Sequence, residues 1–356
     1  VFAEKSKGGR RLIFSPLWSD AHFFLTPLSF FLSPHPMSPW KKFRYRVETA
    51  LCGFCAWGVP RLSRSKCVRL GNALGQLGYL LDARGRAVGL ANLECAFGNT
   101  MSPERRVAVL KESYRNFART MVDLFWSPAL MKPENRRFIR LHGWKAVNEQ
   151  VGKRGAIYLS VHAGNWEWVN IASGINEAGG LAVAENFKNP GLTAIFYSVR
   201  QVSGQIIIPQ ENSMLRMLRA VKRGIRVGLL ADLTVPPAQA ATIVKMFGME
   251  VSGSLLHGVL GQRSDALYVA LESRPHPDGT CDIYAKVLDI PSEASLREVA
   301  QLCWDHYEPG LKRNPGLWLW AYKHFRYRPK GAERPYPFYA NESKSYEKLK
   351  KKELGG

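Results

Sequence analysis

Along the chain the spacing of apolar positions changes character near residue 140. Before it, apolar residues recur at helical intervals; after it, short apolar runs bounded by turn residues alternate with helical stretches. Val47–Val59 is an apolar run closed by Pro60, with Lys41, Lys42, Arg44 and Arg46 before it and Arg61 and Arg64 beyond. It is shorter than the ~20 residues a spanning helix needs, and reads equally as an interfacial helix or a buried core helix. Lys66–Leu81 is helical by period. Its Gly71, Gly75 and Gly78 imitate a dinucleotide fingerprint, but no strand precedes them, so they read as small residues at a helix contact. Ala83–Phe97 is a further amphipathic helix. Ser102-Pro103-Glu104 supplies a cap and a first-turn proline for a helix reaching about Trp126, short of Pro128.

In the second half Ala156–Val161, Leu181–Glu185, Gln205–Pro209 and Ile225–Ala231 read as strands. Helices opening at Trp166 and spanning Gly191–Gln201 and Met214–Arg223 separate them. That alternation predicts an α/β fold with a mixed, mostly parallel sheet covered by helices, preceded by a helical layer. A helix to about Gly261 and strands Ala266–Glu272 and Cys281–Leu288, joined by a turn at Pro275–Gly279, complete the sheet. Ser295–Pro309 is helical, and Ser343–Lys352 is a lysine-rich tail, solvated or at a membrane surface. Residues 1–39 do not begin with Met and carry Pro16, Pro27, Pro34, Pro36 and Pro39. Their apolar Leu25–Leu32 is too short to span a bilayer, and the segment reads as cleaved or upstream of the native start, for which Met37 is a natural alternative. The expected division is 1–39, a main domain over 40–335 (helical over 40–130, α/β over 140–330), and a basic tail over 336–356.

The 356 residues, 46% of them hydrophobic, suffice for one large domain or two small ones. Fifty Lys and Arg against 29 Asp and Glu leave a formal charge of +21, which implies an anionic partner: nucleic acid, a phosphorylated lipid surface or an acidic carrier protein. No zinc-finger, RNP-type or helix-turn-helix pattern stands out, which disfavours nucleic acid. The absence of a G-x-S-x-G elbow disfavours a serine hydrolase. Cys52-x-x-Cys55 lacks the second pair a zinc site needs, so the six cysteines read as buried thiols facing a reducing compartment, and no metal is expected.

The candidate chemistry lies in Gly155–Asn170, GAIYLSVHAGNWEWVN. His162 ends the first strand of the α/β half, Gly164 permits a tight turn, and Asn165 can cap the helix opening with Trp166-Glu167-Trp168. A His and a carboxylate five apart across such a turn can fold back onto one another. The carboxylate would then fix the tautomer and the imidazole would act as a general base, at the strand end where open α/β sheets bind ligands. A structural hydrogen bond is the plainer reading of one His near one Glu. Trp166 and Trp168 read as core packing before contact with a ligand.

The segment H-A-G-N-W-E resembles the HxxxxD/E block of glycerolipid-type acyltransferases, and more specifically the H-F-G-N-W-E form of the lipid A biosynthesis late acyltransferases. Other blocks carry the resemblance in order: R-x-V-x-x-x-N-L-x-x-A-F ending at Phe97, S-P-E-R-R from Ser102, and Y-R-N-F-A-R-T from Tyr114. After the central strand come K-N-P, I-I-P, G-L-L-A-D ending at Asp232, Met246-Phe247-Gly248 before Val251-Ser252, which resembles the family's F-F-G turn, and the closing run Asn314–Trp320 with Lys323–Pro329. Two positions depart from it: Gly98 stands where the family usually has Pro, and Leu233 where it commonly has Gln.

The resemblance implies a glycerolipid-acyltransferase-like fold and an O-acyltransferase, moving an acyl group from a thioester, on acyl-carrier protein or coenzyme A, to a hydroxyl of a lipid A precursor or related glycolipid. His162 would take the hydroxyl proton and Glu167 would orient it. By block order, Arg200 and Asp232 are the Arg and Asp that accompany the pair. Arg200 and the amides of Gly164 and Asn165 are candidates for the oxyanion. Lys323, Arg326 and Arg328 would meet lipid phosphates or acyl-carrier protein, or form a solvated face. Expected surroundings are an anionic lipid acceptor and the cytoplasmic face of the inner membrane, with no cofactor beyond the acyl donor and no nucleic acid. A glycerolipid or aminolipid acceptor, or a non-catalytic membrane-surface protein on the same fold, are the alternatives.

Overall fold

The computed structural model describes residues 37–176 and 179–355; the expectations for the segment before Met37 lie outside the described residues. The chain divides into two units, 1–45 and 46–356. In the first, residues 39–45 begin helix α1 (Pro39–Gly58), with Trp40 and Phe43 exposed and their rings 5.8 Å apart. The second unit holds all that follows.

Its first layer is helical. α2 (Arg64–Leu81) lies against α4 (Pro103–Leu130), because Gly71 and Gly75 let its backbone reach that of Arg119 and Arg115; a Cβ at either glycine would collide there. The glycines are a helix contact, as their spacing predicts. α3 (Ala83–Phe97) follows, ended by Gly98 at φ +50°. Ser102 caps α4 by accepting from Arg105 N–H. α4 does not stop before Pro128 as expected. Proline forfeits one intrahelical bond, but Trp126, Ala129 and Leu130 are buried in the core and hold the last turn. Cys67, Cys95, Cys281 and Cys303 are buried, whereas Cys52 is half-buried and Cys55 exposed, which corrects the expectation for that pair. Cys55 sits on the outward face of α1 beside Phe54.

The sheet contains β1 (Ile139–His142), β2 (Ala156–Ser160), β3 (Gly180–Ala184), β4 (Ile206–Pro209), β5 (Arg226–Leu230), β8 (Leu267–Pro275) and β9 (Cys281–Val287), in the order β1-β9-β8-β2-β5-β3-β4. β2 is parallel to both β5 and β8, and only β8–β9 pairs antiparallel. All five residues of β2 are buried because helices cover both faces. Ile157 and Leu159 join a core with α8 (Ser213–Lys222), α9 (Leu256–Gln262) and α10 (Leu296–Arg313). Ala156 and Tyr158 join another with α4, α5 (Trp144–Val151) and α6 (Trp166–Ile175). The parallel α/β reading holds, and α7 (Pro190–Arg200) completes the alternation. α10 runs beyond the expected end at Pro309, to Arg313.

Two features escape the sequence reading. β6 (Ala241–Met246) and β7 (Met249–Ser254) form a separate hairpin whose turn residues, Phe247 and Gly248, both have positive φ. The resemblance places a turn at Met246–Gly248, but hairpin turns favour Asn-Gly, so Phe-Gly gave no signal for the two flanking strands. The basic tail is not merely solvated: it forms β11 (Asn341–Glu342), paired with β10 (Tyr327–Arg328), and then α11 (Lys344–Leu354). Tyr346 is fully buried and donates to Glu250 O, and the Glu353 carboxylate accepts from Thr242 and Ile243 on β6.

Candidate active site

The register of the two central strands assembles the site. Ser160 pairs with Leu230, and Ala231 N–H donates to Ser160 O at 2.8 Å, so His162 and Asp232 stand two residues beyond matched strand ends. His162 Nδ1 lies 2.9 Å from Asp232 Oδ1, while the His162 backbone N–H donates to Asp232 Oδ2 at 2.8 Å. The same Oδ2 accepts from Trp318 Nε1–H at 2.8 Å. Asp232 is 1% exposed and the His162 side chain 20%. With Nδ1–H committed to the carboxylate, Nε2 is the nitrogen left for proton transfer.

This corrects the expected pairing. Asp232, not Glu167, orients the imidazole. Glu167 sits in the first turn of α6, 4% exposed, and its carboxylate accepts two bonds from Arg200 at the end of α7: Nε to Oε2 at 3.0 Å and Nη2 to Oε1 at 2.6 Å. This fork leaves Arg200 Nη1 uncommitted to Glu167. Glu167 still acts on His162 through its charge. Burial opposes the imidazolium, but Asp232 and, more weakly, Glu167 outweigh it and hold His162 above its ordinary 6.5. Burial likewise works against the Asp232 anion, yet His162, His324 and the Trp318 N–H bring its carboxyl down to about 2. Arg200 loses to burial and gains more from Glu167, which keeps it charged.

The turn between His162 and α6 is held from three sides. Gly164 adopts φ +60°, and its face toward Ser273 leaves no room for a Cβ. Its carbonyl accepts from Asn116 and Thr120 of α4, both at 2.9 Å. The amides expected to serve as oxyanion donors are already used: Gly164 N–H donates to Leu317 O at 3.0 Å and Asn165 N–H to Ser273 Oγ at 2.7 Å. Asn165, 1% exposed, caps α6 through Trp168 N–H and donates its amide to Asp123, so its side chain is engaged as well. The expectation that the Gly164 and Asn165 amides are free donors is thus corrected: both have partners within the protein. Trp168 is buried core, as expected, but Trp166 is more than that: its ring stands edge-on to His162 at 5.4 Å and stacks on the part-exposed Phe117 at 6.0 Å.

Lys323 and Arg326 lie on the closing segment, over the rings of Tyr339 and Tyr322 respectively, and Arg328 pairs with Glu342. No hydrogen bond or ion pair among the described residues joins Lys323 or Arg326 to His162, Glu167, Arg200 or Asp232. Sequence reasoning missed two side chains of this segment at the site, Trp318, which donates to Asp232, and His324, which stacks on Trp318; the L-W pattern was visible but carried no hint of a donor. Among the described residues no cluster of three or more His, Cys, Asp or Glu is arranged to hold a metal ion.

A histidine bonded to a buried carboxylate at the carboxyl ends of parallel strands, with an arginine one helix away, is an arrangement that α/β enzymes can use for proton transfer. The chain belongs to the bacterial lipid A biosynthesis acyltransferase family, whose model it matches over residues 41–327. It is an acyltransferase of the kind that acts on lipid A-type acceptors. No curated protein matches the chain.

Proposed function

We propose that the protein transfers a fatty acyl group from a thioester, on acyl-carrier protein or coenzyme A, to a hydroxyl of a lipid A precursor or related glycolipid at a membrane surface. The observation that carries the reading is the His162–Asp232 pair with Nε2 left for the acceptor. His162 Nε2 takes the hydroxyl proton as the oxygen attacks the thioester carbon, and Asp232 stabilises the resulting imidazolium. The tetrahedral oxyanion meets Arg200, which Glu167 aims and keeps charged. Collapse expels the thiolate, which regains a proton from His162. The thiol is a good leaving group, so the reading needs no acyl-enzyme and no cofactor. Trp166 and Phe117 offer an apolar wall beside the base for the acyl chain.

Membrane contact is supported by apolar side chains on outward helix faces. In the second unit α1 exposes Val47, Leu51, Phe54 and Trp57, and α2 exposes Leu74, Leu77, Leu80 and Leu81, with Arg61, Lys66 and Arg69 exposed nearby in sequence. Exposed apolar stripes edged by cations suit an anionic bilayer surface. No helix among the described residues is long and apolar enough to cross a membrane, so the contact proposed is interfacial.

The test is transfer of radiolabelled acyl groups from acyl-carrier protein and, in parallel, coenzyme A to a bacterial lipid extract, comparing wild type with His162→Ala. Labelled glycolipid from the wild type alone is the expected result. Equal labelling by the variant, or none by folded wild type with either donor, would sink the reading.

A further inference from the structure

Asp232 has three N–H donors, and only two belong to His162. The third is the indole of Trp318, 86 residues downstream. Trp318 is fully buried, and its ring is fixed by neighbours: His324 stacks on it at 3.8 Å and 24°, Trp320 stands edge-on at 4.7 Å, and Phe247 and Trp304 lie at 5.5 and 5.7 Å. The next residue, Leu319, donates its N–H to His162 O at 3.1 Å. Indole and imidazole are therefore held by one segment and meet on one carboxylate.

We propose that Trp318 is a positioning residue for the proton transfer: its indole N–H fixes the plane of the Asp232 carboxylate and shares its charge, which sets how tightly His162 holds a proton. This rests on reading His162 as the base. A carboxylate stripped of one neutral donor concentrates its charge on the remaining partner and grips an imidazolium harder. The other titratable groups that face the pair are Glu167, Arg200, His324, Tyr307 and Tyr322. His324 adds no charge there near neutrality, because burial pushes it down to about 4. The remaining groups are unchanged by removing the indole nitrogen.

The experiment is an NMR titration of full-length protein carrying carbon-13 at histidine Cε1, with the His162 signal assigned by its loss in His162→Gln. In Trp318→Phe the His162 midpoint should rise by about half a pH unit or more, roughly a threefold tighter hold on the proton. Trp304→Phe is the packing control: it belongs to the same aromatic core, but its N–H donates to Glu308 at 2.6 Å. It should leave the midpoint at the wild-type value. Should Trp318→Phe not fold, Trp318→benzothienylalanine keeps the ring shape and removes only the donor. A midpoint that stays in place or falls in whichever variant folds would overturn the role of Trp318. That outcome is separate from the acyl-transfer reading, which stands or falls with the His162→Ala assay.

Discussion

A carboxylate 2.9 Å from Nδ1 fixes which imidazole nitrogen is free and stabilises the protonated ring. For a general base the second effect sets the working pH. His162 is held above 6.5 by Asp232 and Glu167 against the pull of burial, and its neutral form is the one that accepts a proton. The acid limb of kcat/KM should therefore lie above pH 6.5, with activity falling as pH drops through it. Asp232 stays ionised down to about 2, so that limb belongs to His162. A profile from pH 5 to 9 with its midpoint below 6.5 would contradict this. The HxxxxE spacing made His162 and Glu167 legible as one site but misassigned the contact between them. α6 starts at Trp166 and carries Glu167 toward α7 and Arg200, while the carboxylate that binds the imidazole arrives from β5, across a strand pairing that local spacing does not encode.

At the scale of elements, the sequence blocks that looked like separate patches are one set of contacts. Asn116 and Thr120 of α4 hold the Gly164 carbonyl, and Asn92 of α3 donates to Trp320 O and Tyr322 O of the closing segment, both at 2.7 Å. The α2 residue Arg64 is the strongest such tie. It forms a bidentate pair with Asp123, lies over the rings of Trp126 and Trp168, and donates to Gly279 O at 2.7 Å. Asp123 in turn accepts from Asn165, the cap of the helix bearing Glu167. Arg64→Ala strands a buried carboxylate, so urea unfolding should show a loss of about 3–5 kcal/mol. A loss below ~1 kcal/mol would mean that Asp123 finds another partner. Arg64 read from sequence as the basic flank of an interfacial run; its burial follows from α2 packing on α4, which helical period alone cannot place.

For the whole second unit, the alternation of strands and helices was readable because β2 to β5 are short apolar runs punctuated by Gly, Asn and Pro. The β6–β7 hairpin and the docked α11 were not, since a lysine-rich helix held by Tyr346 and Glu353 looks like a solvated tail until its partners are known. On the proposed membrane contact, the +21 charge of the full chain and the exposed leucines of α2 would act together. Binding to vesicles containing an anionic lipid should exceed binding to zwitterionic ones and weaken with salt. Leu77→Glu with Leu81→Glu should lower it by about tenfold or more, given ~1.5–3 kcal/mol per buried leucine. Flotation unaffected by the double change would remove α2 from the contact.

If His162 and Asp232 act as one unit in acyl transfer, a double-mutant cycle on kcat will show it. His162→Ala and Asp232→Asn should each cost about 10²–10⁴-fold, and the combined variant should be no slower than His162→Ala alone, because residues that work as a unit are not additive. If the two losses multiplied, the pair would be acting independently, and Asp232 would not be the partner that makes His162 a base.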